Sequence, residues 1–164
     1  MTIRAYRSSD LTHLLQINQA GEPGVGAVSL TELQEIIAVG TCLVAVESSD
    51  QPIGFILLVP PNSRYHSQNY QWFEARRASV GSEFIYVDRI AIAAEGQERG
   101  LGKALYEAAF AAFEGHSSVI TCEVNTEPPN PGSLRFHKRL GFVEIGQQVF
   151  DPGKKAVVYL ERPL

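Results

Sequence analysis

The residues best suited to chemistry lie in Gln97-Glu98-Arg99-Gly100-Leu101-Gly102-Lys103, where a strand-like run gives way to an amphipathic helix through a glycine-containing turn. Amides at a helix start are unsatisfied donors that favour anions. Gly100 and Gly102 have no Cβ to hold off a ligand, and Arg99 and Lys103 add positive charge beside the exposed amides. A pyrophosphate suits such a place. Two other phosphate motifs fail. A Walker A loop needs Gly ahead of its Gly-Lys pair and Ser or Thr after it, and those places hold Gln97 and Ala104. A dinucleotide fingerprint counted from Gly100 and Gly102 meets Leu105 where its third glycine belongs.

The elements that must position this turn follow from periodicity. Residues 2–7 alternate as a half-buried strand, and Ser8-Ser9-Asp10 offer cap oxygens to a helix carrying Leu11, Leu14, Leu15 and Ile17. Gly21, Pro23, Gly24 and Gly26 end it. Ser29 and Glu32 have capping-box spacing ahead of Leu33, Ile36 and Ile37. The runs 41–47 and 52–59, joined by Ser48-Ser49-Asp50-Gln51, read as an antiparallel hairpin. Residues 62–82 have no clean period. A connection this long is functional or holds a short helix, and the expectation is both, with 68–78 partly helical. Residues 83–92 read as a central strand, about 99–114 as a helix with Leu101, Ala104, Leu105, Ala108 and Ala112 on one face, and 118–124 as a strand. A Pro-rich loop, a helix over about 131–140, and strands near 142–150 and 156–160 complete the chain.

The turn resembles the Q/R-x-x-G-x-G/A acyl-CoA motif of the GNAT N-acetyltransferase superfamily, preceded as expected by the strand Val87-Asp88-Arg89-Ile90-Ala91-Ile92. Asn130-Pro131-Gly132-Ser133-Leu134-Arg135-Phe136-His137-Lys138-Arg139-Leu140-Gly141-Phe142 resembles that family's second signature, and Ile3 to Asp10 resembles its first strand and helix start. The resemblance implies an α/β (α+β) fold: a mixed, mostly antiparallel sheet of about seven strands with about four helices, its strands 4 and 5 splayed. It implies acetyl-CoA held by Ile90, Ala91, Ile92, Gln97, Glu98, Arg99, Gly100, Leu101, Gly102, Lys103, Asn130, Ser133, Phe136 and His137. Splaying would leave the backbone groups of Ile90, Ala91 and Ile92 unpaired, with the Ile92 amide as oxyanion donor. Asn130 would bond the pantetheine portion.

The reaction needs a base, because an ammonium has no lone pair to attack with. By the resemblance, Glu123 holds the strand position where some members carry a catalytic glutamate acting through water. The bland alternative is a glutamate paired with a basic neighbour or bonded across the strands. Asp88 and Glu127 are weaker candidates, and Asp88 could simply pair with Arg89. His137 stands where many members have a tyrosine that returns a proton to the thiolate of coenzyme A. Phosphinothricin-type acetyltransferases also show histidine there, which makes them the nearest subgroup by motif. Ala93-Ala94, in place of Asp or Asn followed by Pro, and the stiff Pro128-Pro129-Asn130-Pro131 are further departures. Acceptor contacts are expected from Tyr65, Asn69, Tyr70, Trp72, Phe73, Asp88 and Asn125, the aromatics having as their alternative a small core of their own. His66 could line a lid, and His13 and His116 sit at solvated positions.

Composition bounds these readings. The 164 residues suit one domain, 1–164, and the net charge of -4 argues against nucleic acid or an anionic membrane as partner. The start of the chain lacks a secretory apolar run and no stretch is long and apolar enough to span a bilayer, so the cytoplasm is the expected compartment. Cys42 and Cys122 lack metal-ligand spacing and read as buried thiols. The expected function is transfer of an acetyl group to a primary amine of a small molecule. A protein or peptide N-acetyltransferase, needing an open groove, and a non-catalytic acyl-CoA-binding module are the alternatives. Exposed final strands would make a homodimer unsurprising.

Overall fold

The computed structural model describes residues 1–97 and 99–164. Seven strands form one sheet: β1 (Thr2–Ala5), β2 (Thr41–Val46), β3 (Pro52–Val59), β4 (Phe84–Ile92), β5 (Val119–Glu127), β6 (Val143–Asp151) and β7 (Lys155–Pro163). Their order is β1-β2-β3-β4-β5-β7-β6. Every neighbouring pair is antiparallel except β4 with β5. Five α-helices cover it: α1 (Leu11–Ala20), α2 (Leu30–Val39), α3 (Gln68–Val80), α4 (Leu101–Phe113) and α5 (Pro131–Arg139).

Strand side chains alternate between two packed faces, as period two requires. On one face Val44, Phe55, Leu57, Tyr86 and Tyr159 meet α1, α2 and α3 through Leu14, Leu33, Tyr70 and Phe73. On the other, Ile56, Leu58, Ile85, Ile120 and Leu160 meet α4 through Leu101, Leu105, Tyr106 and Ala109. All of β3 is buried, which accounts for its unbroken apolar run.

The capping box announced ahead of α2 is present, whereas the cap oxygens expected of Ser8-Ser9-Asp10 accept no bond from the first turn of α1. Ser29 Oγ accepts from the Glu32 amide at 3.1 Å, and Glu32 Oε2 from the Ser29 amide at 2.8 Å. The expected partial helix over 68–78 is a full α3, capped by Ser67, whose side chain accepts from the Tyr70 amide. Ser8–Asp10 form a 3₁₀ turn ahead of α1, where Asp10, gripped by both Arg4 nitrogens, accepts from the Arg7 amide. Cys42 and Cys122 are buried free thiols. Among the described residues no helix is long and apolar enough to cross a membrane.

Candidate active site

The site exists because β4 and β5 part. They pair only through Phe84–Val119, Ile85–Ile120 and Tyr86–Thr121. Beyond Tyr86, β4 stays with β3 and β5 stays with β7. Ala93 N–H donates to Ile53 O at 2.9 Å, and Phe55 stands opposite Ala91 in the same ladder. Antiparallel bonding repeats at every second residue, so the polar groups of Ala91 face β3 while those of Ile90 and Ile92 face the gap. The expectation of unpaired groups at all three is therefore corrected at Ala91.

On the α4–α5 side the gap opens into a cleft of about 800 Å³. Gly100, at φ +75°, turns the chain into α4, and among the described residues no side chain caps that helix. A Cβ on Gly100 would meet nothing within 4 Å, whereas one on Gly102 would lie 3.1 Å from Phe136 Cζ and 3.3 Å from Ile92 Cδ1. Gly102 thus lines the cleft and also sits in close packing of α4 on α5 and β4. Lys103 lines the cleft and pairs loosely along its helix with Glu107 at 3.5 Å. Arg99 instead turns to Glu47 at 2.8 Å and lies outside the lining, while Arg139, which sequence reasoning passed over, lies within it. Glu98 falls outside the described residues. Asn130 caps α5 with its oxygen, which accepts from the Ser133 amide at 3.2 Å, leaving its amide nitrogen to donate. An uncapped helix start, a glycine turn open to space and a long cleft between helices fit a phosphorylated, elongated ligand.

The cleft shares Gly24, Val25, Ile90, Asn130, Ser133 and His137 with a second cavity of about 460 Å³. Glu123 lies in that cavity, projecting to the α3 face of the sheet. Tyr86 Oη stands 2.9 and 2.8 Å from its two oxygens, and Asn69 Nδ2 donates at 3.1 Å. Burial, opposed by the Tyr86 hydrogen bond, pushes the Glu123 carboxyl up to about 8. Asp88 has both oxygens engaged, one by Tyr65 Oη and one by Arg89 Nε at 2.7 Å. Arg89 also reaches Asn18 Oδ1 and Gly26 O, tying the α1–α2 loop to β4. Glu127 is taken up by the β6–β7 turn, accepting from the Gly153 amide at 3.0 Å. Of the three carboxylates weighed from the sequence, Glu123 alone stands in the cavity without a cationic partner.

His137 is buried at the junction, and burial lowers its pKa. Nδ1 lies 2.8 Å from Ser133 O, which can only accept, so Nδ1 carries the proton of the neutral ring. Nε2 then accepts from Tyr106 Oη at 2.7 Å. The donor that sequence reasoning assigned to neutral His137 is thus engaged by its own helix.

Of the expected acceptor contacts, Tyr65, Asn69, Asp88 and Asn125 line the second cavity. Tyr70, Trp72 and Phe73 do not. Tyr70 and Phe73 are core residues of α3, and Trp72 stacks on Tyr159 at 4.1 Å between ring centroids. A helix laid on a sheet buries its aromatic face, which is the alternative the sequence had left open. Tyr86, Tyr106 and Tyr159 were missed. The available signal was a hydroxyl in an otherwise apolar strand or helix face, which needs a buried partner.

This arrangement defines an acyl-transfer site in a splayed sheet. The chain belongs to the acetyltransferase (GNAT) family, whose sequence profile matches residues 11–142, and it is an acetyl-CoA-dependent N-acetyltransferase. Solved structures agree in fold. The ribosomal-protein-S18-alanine N-acetyltransferase of Escherichia coli superposes with TM-score 0.75 at 17% identity over 99% of this chain and 92% of that one. Arabidopsis thaliana NAA60, in complex with acetyl-CoA, gives 0.75 at 16% over 99% and 98%. A spermidine N-acetyltransferase SpeG chimera from Vibrio cholerae and hSSAT gives 0.69 at 20% over 99% and 96%. No curated protein sequence matches the chain. These likenesses show the fold, and none of them supports the phosphinothricin-type subgroup suggested by His137.

Proposed function

We propose that residues 1–164 form one acetyltransferase domain that acetylates a primary amine of a small molecule by direct attack, with Glu123 as the base. The observation that carries this reading is a carboxyl of raised pKa, without a cationic partner, in a cavity continuous with the acyl-CoA cleft. Bound acetyl-CoA supplies an activated acyl carbon. A group titrating near 8 takes a proton from an ammonium, directly or through water, more readily than an ordinary carboxylate does. The Ile92 amide faces the gap and is preorganised to stabilise charge developing on the acyl oxygen. Asn130 Nδ2 would hold the pantetheine arm, and the start of α4 with Lys103 and Arg139 would hold the phosphates. His137 holds Tyr106 at the junction. A thiolate with a reference pKa of about 8.5 leaves readily, so an acid there adds little.

A small acceptor is favoured by the size of the cavity, about 460 Å³, whose lining includes Tyr65, Ser67 and Asn69 and the stretch Gly24 to Ala27. A peptide acceptor has one observation in its favour. A further cavity of about 410 Å³ shares Tyr65, Ser67 and Arg89 with the first and would admit an extended molecule. Similar folds serve both classes, given the names of the spermidine and ribosomal-protein enzymes. Mass spectrometry of amine and peptide mixtures incubated with acetyl-CoA, with Glu123→Gln as control, tests the reading. Acetylated small amines support it, and acetylated peptides alone overturn the choice of acceptor.

A further inference from the structure

Asn69 was read from the sequence as an acceptor contact, yet both ends of its amide are taken by protein groups. Nδ2 donates to Glu123 Oε1 at 3.1 Å, and Oδ1 accepts from Tyr159 Oη at 2.9 Å. We infer that Asn69 is a positioning residue for the reaction: α3 lowers it onto the sheet so that one amide N–H holds the Glu123 carboxylate, while Tyr159 keeps the donating end of that amide toward the glutamate. The inference rests on the reading of Glu123 as base.

The geometry explains why α3 is anchored so firmly at this end. Trp72, one turn along, stacks on Tyr159 and lies against Gly146 of β6, where a Cβ would come within 2.5 Å of its ring. Phe73 meets Tyr159 edge-on at 5.3 Å between centroids. The same tyrosine therefore carries the helix on its ring and orients Asn69 through its hydroxyl. With its single proton given to Asn69, the Tyr159 oxygen can only accept from the Gln148 amide group 2.8 Å away, so β6 joins the same network once that amide presents its nitrogen.

An ionised carboxylate only accepts, so an N–H donor stabilises it and a lost donor raises its pKa. Other groups face Glu123 as well. From β4 come Tyr86 and Asp88, the latter paired with Arg89; from α4 comes Tyr106, from α5 His137, and from β7 Tyr159 and the cavity-lining Lys155. Cys122 adjoins it in the chain. Burial drives the Tyr86, Tyr106, Tyr159 and Cys122 ionisations upward and keeps His137 neutral. Of these groups only Tyr159 bonds to Asn69, and Gln148 remains within 2.8 Å of its hydroxyl when the amide is lost, so a change in Glu123 titration reports chiefly the amide.

The test is carbon-13 NMR of the full chain with labelled glutamate carboxyls, the Glu123 signal being the one absent in Glu123→Gln. Asn69→Leu removes the donor while keeping the volume and excluding a substitute water. Its Glu123 midpoint should lie about one pH unit above that of the parent. Tyr159→Phe keeps the stack on Trp72 and should give a smaller upward shift. A midpoint unmoved in folded Asn69→Leu overturns the inference. If that variant does not fold, an unmoved midpoint in Tyr159→Phe overturns it instead. A shifted midpoint together with undiminished turnover in Glu123→Gln would leave the Asn69 contact standing and sink Glu123 as the base.

Discussion

The side of the gap proposed to hold the cofactor and the side proposed to hold the acceptor are built from different materials. The first is local and largely backbone: a glycine turn at φ +75°, the start of α4, and strand amides that face the gap because β5 has departed. The second is assembled from side chains far apart in sequence. Glu123 of β5 meets Tyr86 of β4, 37 positions away, and Asn69 of α3, 54 away, while Tyr159 reaches Asn69 across 90. Backbone sites tolerate change in most side chains. A side-chain network concentrates its function in a few atoms, each of which can be removed singly.

The sharpest way to break this comparison is Glu123→Gln. Turnover should fall on the order of a hundredfold or more, the usual range for a general base, while calorimetric acetyl-CoA affinity stays within twofold. Weakened cofactor binding would mean the two sides are not separable. The same variant also tests burial. A carboxyl raised from 4.5 to about 8 favours its proton in the folded state, so it lowers stability progressively between those values and by a constant amount above them. Glu123→Gln should therefore be more stable than the parent by about 2 kcal/mol at pH 8, allowing for solvent in the cavity, and no more stable at pH 4. A pH-independent melting difference would deny the raised pKa.

On the cofactor side the effects should be smaller, because several groups share the phosphates. Gly100→Ala forces a left-handed turn on a residue with a Cβ, a strain of about 1–2 kcal/mol, and acetyl-CoA should bind roughly tenfold more weakly. An unchanged affinity would show that the turn does not shape the site. Arg139→Ala should weaken acetyl-CoA a few-fold, about 1 kcal/mol, and Arg99→Ala hardly at all, since Arg99 is held by Glu47. The reverse order would restore Arg99 as the phosphate ligand.

Much of this asymmetry could be read before any coordinates. The turn at Gln97 to Lys103, the strand ahead of it and the motif ending at Gly141-Phe142 are contiguous, so spacing carries their geometry. The packing of Phe136 and Ile92 against Gly102 was not legible, because both reach it from other elements. Aromatics in residues 65–73 divided, Tyr65 toward the cavity and Tyr70, Trp72 and Phe73 into packing, once α3 chose which face to bury.

What the chain determined by itself was the set of elements, the glycine turn proposed to hold the phosphates and Glu123 as a candidate base, because period, capping and motif spacing act over short stretches of chain. Tertiary structure alone decided which of three carboxylates stands in the cavity without a cationic partner, which His137 nitrogen bears the proton, and that Asn69 faces a glutamate. Those outcomes depend on partners 4 to 90 positions away, and hydrogen bonds and burial are set by proximity in space, which no local pattern records.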